Sequence, residues 1–288
     1  SDMGRLLARY PGATALGEVV AGPQTHATIA AYTEPGRVQM CYGFDFLNGP
    51  LSASFFAERI RLFESAVTDG WPCWSFSNHA RTRHVSRWTD DPADRDAVAR
   101  LSLALLGSMR GSMCIYEGEE LGLPEAELAF EDLQDPYGIT FWPEGKGRDG
   151  CRTPMPWDAG APNGGFSEAK PWLPVSPAHL PLAVSAQAGD ETGVMAFYRN
   201  FIAFRRAHPA LVRGAIEVLG GENDVLALRR RQEDEDLVCV FNLSPRSREW
   251  AVPAGLGLAP VEGHGLTGTL KDGKVVLGPW QGVIAAAV

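Results

Sequence analysis

Short apolar runs alternate with amphipathic helical patterns through the first two-thirds of the chain, an arrangement that few fold classes share. The runs are flanked by polar residues or glycine, which is typical of buried strands: Ala13–Val20, Val38–Leu47, Cys73–Ser77 and Ser112–Tyr116. Between them, apolar residues recur every three or four positions over 56–67 and 98–109, which predicts two helices. Strands that alternate with helices form right-handed βαβ units, so the pattern predicts an α/β fold with a parallel sheet.

A long irregular segment follows, from Leu121 to Gln187, and is rich in glycine, proline and tryptophan. Segments of this length without periodicity are usually functional. Asp91-Pro92 predicts an N-cap for the second helix, and Pro209 predicts the end of a third helix over 193–208.

The last quarter of the sequence changes to short strands and turns. Val225–Arg230 and Leu237–Asn242 are predicted to form a hairpin with a solvated tip of mixed charge, and Asp272-Gly273 predicts a tight turn before another strand. We therefore predict two domains, an α/β domain over 1–210 and a small antiparallel β domain over 211–288. The first has four strand–helix units, whereas a closed parallel barrel needs eight strands and about 250 residues. It is therefore either an open sheet or half a barrel.

Composition argues against several functional classes. The formal net charge of −9 is unsuited to binding nucleic acid, and no apolar run is long enough to cross a bilayer. Five cysteines, without a Cys-x-x-Cys pair, favour a reducing compartment over a disulfide framework. Six scattered histidines lack metal-ligand spacing. We expect a cytoplasmic protein with no metal, cofactor, nucleic-acid partner or membrane partner.

Polar side chains follow the predicted strands, where parallel α/β folds collect their functional residues. Glu18 follows the first strand, Asn78 and His79 follow the third, Glu117 follows the fourth, and the second ends in aromatic residues that include Phe44. Taken singly, each is also typical of a loop, a cap or a structural role. Together they suit a sugar pocket. Retaining glycoside cleavage needs a carboxylic acid and a second carboxylate about 5–5.5 Å away. Glu18 could be the acid, but no nucleophile is evident.

Four longer motifs carry a resemblance to a known family. They are FEDLQDPYGITFWPEGKGRDGCRTPMPWD (130–158), GSMCIYEGEELG (111–122), ALGEV (15–19) and FSNHARTRHVSRW (76–88). They resemble motifs of the α-amylase-type glycoside hydrolases (family 13), in the branch of exo-acting α-glucosidases and oligo-1,6-glucosidases. The resemblance covers essentially the whole chain, as the C-terminal part of such an enzyme. It implies the C-terminal half of a (β/α)8 TIM barrel, followed by the family's small antiparallel domain C.

The resemblance also implies roles for residues at the strand ends. Glu18 would be the general acid/base. His79 would hydrogen-bond the hydroxyls of the terminal glucose, with Asn78 beside it in the substrate-binding set. Phe44 would stack near the next sugar.

The resemblance places an arginine that holds the terminal glucose in the Gly-Arg-Asp segment. Arg148 is the preferred residue, and Arg152 is the second candidate. Arg83 matches the last residue of the family's Asn-His-Asp-x-x-Arg motif and would have a structural role.

The sequence departs from the family pattern in two respects. The nucleophilic aspartate, and a further substrate-holding aspartate, belong to strands before that of Glu18 and are not among these residues. Ala80 stands where the family has the aspartate that stabilises the oxocarbenium-like transition state, and Arg83 three residues later supports this register. Without the nucleophile no covalent glycosyl intermediate forms. We therefore expect the chain as written to be inactive.

Three functions remain open. The first is an α-glucosidase that hydrolyses or transfers the terminal α-linked glucose of short oligosaccharides or aryl glucosides with retention; Glu18 and His79 favour it. The second is a catalytically inactive glucosidase-like scaffold or partner subunit, which Ala80 favours. The third is a module that binds α-glucosides without cleaving them.

The same resemblance sets expectations about partners. The ligand would be a small α-glucoside or a maltooligosaccharide. Half a barrel leaves edge strands unpaired, so the N-terminal half of the barrel is the expected macromolecular partner, and a homodimer is left open. Linkage preference, the balance between hydrolysis and transfer, and the origin of Ala80 cannot be deduced.

Overall fold

A computed structural model describes residues 2–288. They form two compact units. The first unit comprises the residues up to Ser75, together with Ala104–Cys114 and Phe204–Val288, and the second comprises Phe76–Leu103 and Ile115–Ala203. The predicted domain limits at 210 and 211 stay a prediction.

Residues 2–288 contain ten α-helices: α1 (Asp2–Leu7), α2 (Thr25–Thr33), α3 (Asp45–Asn48), α4 (Ala53–Ala66), α5 (His84–Trp88), α6 (Arg95–Ser108), α7 (Pro136–Phe141), α8 (Val184–Gln187), α9 (Val194–Ala207) and α10 (Pro209–Arg213). The same residues contain twelve strands: β1 (Leu16–Glu18), β2 (Met40–Tyr42), β3 (Trp71–Trp74), β4 (Ser112–Met113), β5 (Ala215–Glu222), β6 (Val225–Gln232), β7 (Glu235–Asn242), β8 (Arg248–Ala251), β9 (Leu258–Pro260), β10 (Thr269–Lys271), β11 (Lys274–Leu277) and β12 (Gly282–Ala287).

The first unit contains a parallel sheet in which β1, β2, β3 and β4 lie side by side in chain order. Glu18 is aligned with Tyr42, and Tyr42 with Cys73. This confirms the predicted parallel sheet, although each strand is shorter than its apolar run. Four neighbouring parallel strands, connected by helices, are half of the strands of a closed (β/α)8 barrel. The fold is a partial TIM barrel followed by antiparallel β structure.

The helix predicted from the apolar residues of 56–67 is confirmed as α4. Its Phe56, Ile60 and Phe63 side chains are almost completely buried, because spacings of four and three place them on one face of the helix. Phe63 lies edge-to-face on Trp74 of β3, with ring centroids 4.9 Å apart. Burial of each of these side chains stabilises the fold by roughly 1.5–3 kcal/mol.

The predicted N-cap at Asp91 is wrong. The Asp91 carboxylate accepts a hydrogen bond from Ala93 N at 2.9 Å, and its carbonyl accepts one from Asp94 N. These bonds form a turn, and α6 begins only at Arg95. The predicted third helix is confirmed as α9, which ends at Ala207, and Pro209 is the first residue of α10.

The C-terminal strands form two antiparallel sheets. One has the order β5-β6-β7-β12-β9 and the other the order β10-β11-β8. Val238, Val240, Val275, Leu277 and other buried apolar residues pack together as their shared core. The predicted hairpin is confirmed as β6 and β7. The predicted turn is confirmed as well: Asp272 and Gly273 both have positive φ, as a two-residue hairpin turn requires.

The mixed-charge hairpin tip is only partly solvated. Alternation along β6 turns Arg230 inward, and its side chain is completely buried. The guanidinium donates hydrogen bonds to four carbonyl oxygens, those of Ser108, Leu211, Gly214 and Ala215, over 2.8–3.3 Å. The charge is therefore stabilised by backbone dipoles rather than by a carboxylate.

Candidate active site

Glu18 is the last residue of β1, and its side chain projects into solvent at the carboxyl end of the strand. Within residues 2–288 its carboxylate has no hydrogen-bond or ion-pair partner. A carboxyl group in this position is free to exchange a proton with a bound molecule. This is the geometry that a general acid/base requires.

The neighbouring strand β2 leads directly to Phe44. Its ring packs edge-to-face on Tyr42, with centroids 5.1 Å apart. A cleft of about 370 Å³ adjoins it, and Val19, Val20, Thr25, Asp45, Asn48 and Phe55 are among the other residues that line the cleft. Glu18 thus ends β1, and Phe44 follows the adjacent strand β2. Phe44 and Val19, the residue after Glu18, line the same cleft.

An ion-pair group fixes the cleft wall after Phe44. The Asp45 carboxylate lies 3.1 Å from His26 Nε2 and 3.9 Å from a guanidinium nitrogen of Arg59. These contacts fix the start of α3, and they therefore also fix the position of the adjacent Phe44.

The predicted residues after β3 lie in the second unit. Asn78 is buried, and its side-chain oxygen accepts a hydrogen bond from Ala80 N at 2.9 Å. His79 is exposed, and its imidazole has no partner within residues 2–288. Asn78 therefore shapes the backbone of this loop, while His79 is available to a ligand. The methyl group of Ala80 offers no charge or hydrogen bond.

Two of the predicted residues are in direct contact in the second unit. Arg152 donates a hydrogen bond from Nε to the carbonyl oxygen of His79 at 2.7 Å. Its side chain is only about 19% exposed. Arg152 thus supports the backbone that carries His79.

Arg148 has a different environment. It makes a bidentate ion pair with Asp135, at 2.8 Å from Nε and 2.7 Å from Nη2, and its side chain remains 46% exposed. The guanidinium holds the pKa of the Asp135 carboxyl well below its usual range. The fixed and partly exposed guanidinium can still donate hydrogen bonds to a ligand. The preference for Arg148 over Arg152 stays a prediction.

The sequence did not reveal the carboxylates that fix residues 148–152, the segment that carries Arg148 and Arg152 (the arginine segment). Asp149 is completely buried, and one of its oxygens accepts hydrogen bonds from Gln134 N and Asp135 N, both at 2.7 Å. Asp135 also caps α7 by accepting a hydrogen bond from Tyr137 N. An Asp followed by Pro136 at the first helical position is a helix-start signal, and it could have identified Asp135.

Arg83 is the central side chain of the second unit and is almost fully buried. Its guanidinium donates to the Glu117 carboxylate at 2.6 Å, to the Glu117 carbonyl, and to the Cys151 carbonyl at 3.2 Å. It also lies over the Tyr116 ring. Gly118 beside it has a φ of +84°, and a Cβ there would lie 2.8 Å from Arg83 Nη1. Arg83 therefore joins the loop after β3 to the arginine segment.

Replacing Arg83 with methionine should destabilise the protein by about 3 kcal/mol, because Cys151 O loses a charged donor and Glu117 loses its counter-ion. Urea unfolding followed by circular dichroism measures this change. Arg81→Met is the matched control, since Arg81 is exposed and two residues away. Equal losses for the two variants would contradict the structural role of Arg83.

Glu125 lies between the same two segments. Its Oε2 accepts a hydrogen bond from Arg83 N at 2.8 Å, and its backbone N–H donates one to Ser86 Oγ at 2.8 Å. Burial raises the pKa of the Glu125 carboxyl from 4.5 to about 7, although the bond from Arg83 opposes the change. Arg87 and Glu127 are the other charged groups that act on it.

A raised carboxyl pKa makes folding stability depend on pH. The folded protein keeps a proton that the unfolded chain releases between pH 4.5 and 7, so this contribution is complete below pH 4.5 and is lost as the pH rises through 7. Glu125→Gln should abolish up to about 2–3 kcal/mol of this pH dependence. Urea midpoints from pH 4 to 8 test it, with Glu168→Gln as the control, since Glu168 is exposed and lies in the same unit. Parallel profiles for wild type and Glu125→Gln would refute it.

A serine, a histidine and a glutamate also meet in the second unit. Ser77 Oγ lies 2.9 Å from His84 Nδ1, and Glu119 Oε1 lies 3.4 Å from the same nitrogen. All three side chains are at most 3% exposed, so a substrate cannot reach the hydroxyl. The group is a structural part of the core rather than a nucleophilic centre.

Two further observations concern the described residues. Across 2–288, we find no cluster of three or more His, Cys, Asp or Glu side chains arranged to hold a metal ion. In the same range, no helix has both the length and the apolar character needed to span a membrane.

The partial parallel barrel and its strand-end residues lie in a part of the sequence that matches a known family. Residues 8–214 match the family model of the α-amylase catalytic domain. The chain belongs to the α-amylase family of glycoside hydrolases, as the motifs predicted.

Particular relatives agree with this membership. The chain is 48% identical to a probable α-glucosidase of Rhizobium meliloti (strain 1021) over 278 residues, 96% of the chain and 50% of the relative. It is 30% identical to an oligo-1,6-glucosidase of Halalkalibacterium halodurans over 208 residues, 66% of the chain and 37% of the relative. The crystal structure of the α-glucosyl transfer enzyme XgtA superposes with a TM-score of 0.93 at 44% identity, over 99% of the chain and 54% of XgtA. The chain thus spans about half of the α-glucosidase and of XgtA, and 37% of the oligo-1,6-glucosidase.

Proposed function

We propose that the protein containing these residues is a retaining α-glucosidase or α-glucosyl-transferring enzyme that acts on the terminal α-linked glucose of short oligosaccharides or aryl glucosides. The observation that carries the proposal is the free, exposed carboxyl group of Glu18 at the carboxyl end of β1, directly before Val19, which lines a partly aromatic cleft. The α-glucosidase and α-glucosyl transfer relatives support it.

In the proposed reaction, Glu18 protonates the glycosidic oxygen as the bond to the terminal glucose breaks. It then removes a proton from the attacking water or from an acceptor alcohol, and this choice separates hydrolysis from transfer. His79 and Arg148 bind the hydroxyls of the glucose, and Phe44 contacts the leaving group. The nucleophilic aspartate is assigned to a strand outside these residues, so we propose that residues 1–288 alone do not catalyse.

The proposal extends to the setting of the protein. The partner of this half-barrel is the N-terminal half, in the same chain or as a separate one, and its ligand is a small α-glucoside. We further propose a cytoplasmic location.

Expression of the whole gene product tests the activity. Purified protein is incubated with maltose and with 4-nitrophenyl α-glucoside, and proton NMR follows the anomeric signal of the first glucose released. We expect release of α-glucose, since two displacements retain configuration. Initial release of β-glucose, or no release of glucose or transfer product from either compound by the Ala80→Asp variant of the whole gene product, would reject the proposal.

A catalytically inactive glucosidase-like protein is the second candidate, and Ala80 is the observation that favours it. An aspartate in this position would supply negative charge where the transition state becomes positive. Binding of maltose by calorimetry without any turnover would identify this alternative.

A further inference from the structure

A groove of about 700 Å³ lies in the first unit, between α4 and the strands β5, β6 and β8. Its polar and aromatic lining consists of Ser54, Arg61, Glu222, Asn223, Glu249 and Trp250. The family resemblance assigns none of these residues to catalysis or to glucose binding. The volume falls within the range of about 300–1,000 Å³ that is typical of small-molecule sites.

Two glycines on β5 create this groove. The pairing of β5 with β6 is irregular between Val218 and Gly220. A Cβ on Gly221 would lie 2.3 Å from the Cβ of Ala57, and a Cβ on Gly220 would lie 3.0 Å from Nε1 of Trp250. The glycine pair therefore allows β5 to approach α4 closely, and it leaves the polar edge of the Trp250 indole uncovered.

Several polar groups of the groove are free to bind a ligand. Within residues 2–288, the Trp250 indole N–H has no acceptor, and the Glu222 carboxylate has neither a hydrogen bond nor an ion pair. Arg61 makes a single hydrogen bond, to Val218 O at 3.4 Å, and its side chain is exposed. Asn223 is exposed beside them.

This set of groups matches a neutral polyhydroxyl ligand. The carboxylate, the guanidinium and the amide can bind hydroxyl groups as acceptors or donors, and the indole offers both an apolar face and an N–H. The Glu249 carboxylate is already paired with Lys274 Nζ at 2.7 Å, so the lining offers one unpaired carboxylate, Glu222, and one guanidinium, Arg61. This balance of charge favours a neutral ligand over an anion.

We propose that this groove is a non-catalytic binding site for a short neutral oligosaccharide. One pyranose ring stacks on Trp250, and its hydroxyls bind Glu222 and Arg61. The choice of an α-linked glucose oligosaccharide as the ligand rests on the proposed function.

The indole N–H of Trp250 reports occupancy of the groove directly. The test records ¹⁵N–¹H spectra of the full-length protein carrying Glu18→Gln, which prevents consumption of the probe, and assigns the Trp250 signal with Trp250→Phe. Titration with maltotriose should shift this signal saturably. The Trp172 signal should stay in place, since that side chain is 61% exposed and does not line the groove.

Glu222→Gln should weaken the fitted maltotriose affinity about tenfold, because the ligand loses a charged hydrogen-bond acceptor. Glu222 is exposed, so this variant should fold normally. Glu262→Gln is the matched control, since Glu262 is also exposed and lies outside the groove.

A Trp250 signal that stays fixed throughout the titration would overturn the proposal. A shift caused by inorganic phosphate but not by maltotriose would do the same, as would equal affinities for Glu222→Gln and the control. The readout needs no turnover. If the protein hydrolyses glucosides and the Trp250 signal does not shift, the proposed function stands and the proposed groove site is wrong. If the signal shifts without hydrolysis, only the groove site stands.

Discussion

Replacing Ala80 with aspartate should raise kcat of the full-length protein by about 10²–10³-fold. This corresponds to an activation free energy that is lower by about 3–4 kcal/mol. Cleavage of an α-glucoside builds positive charge on the sugar ring, and the methyl group of Ala80 cannot stabilise it. The loop is prepared for this change, because the bond between Asn78 and Ala80 N uses only the backbone at position 80. Rates with maltose measure the gain.

Ala80→Asn is the control for this gain, since asparagine matches aspartate in size but has no charge. We expect the asparagine variant to stay close to wild type. Equal rate increases for the two variants would show that size rather than charge matters, and a wild-type rate already equal to that of Ala80→Asp would contradict the missing-carboxylate interpretation.

Glu18→Gln should lower kcat/KM for maltose, which reports the first bond cleavage, by about 10²–10⁴-fold in the Ala80→Asp background. The loss should be much smaller for 4-nitrophenyl α-glucoside, because nitrophenolate leaves without being protonated. This dependence on the leaving group separates a general acid from a residue that merely supports the fold. Rates measured side by side with the two substrates show this dependence.

The control for Glu18→Gln is again Glu262→Gln, an exposed substitution in the same unit. We expect it to leave both rates unchanged. If Glu18→Gln reduced kcat/KM for both substrates by the same factor, Glu18 would not be the proton donor.

The parallel strands and the long helices could be predicted because their signals are local and repeated. The apolar residues of α4 recur on one face, and the Asp272-Gly273 turn needs two residues with positive φ that this pair readily supplies. The Asp91 error has a physical reason. A carboxylate that accepts a hydrogen bond from the N–H two residues later stabilises a turn as well as a helix start, so Asp91 alone could not distinguish the two.

The arginine segment could not be worked out in the same way. Arg148 is fixed by Asp135, thirteen residues earlier, in a stretch without periodicity, and Asp149 is fixed by backbone groups of that same stretch. Motif resemblance could place Arg148 near a sugar, but only the structure shows which carboxylate holds it. The exposed environment of His79 and the contact from Arg152 are likewise products of tertiary packing.

The burial of Arg230 limits how this protein can be modified by exchanging parts. The residue lies on β6, among the antiparallel strands, yet one of its acceptors is Ser108 O at the end of α6, which precedes the last parallel strand. Arg205 of α9 likewise binds the carbonyls of Gly107 and Gly111. A chimera that combined these antiparallel strands with a foreign barrel would bury a guanidinium without one of its four acceptors unless it also inherited the end of α6. Successful recombination therefore requires the two sequence regions to be transferred together.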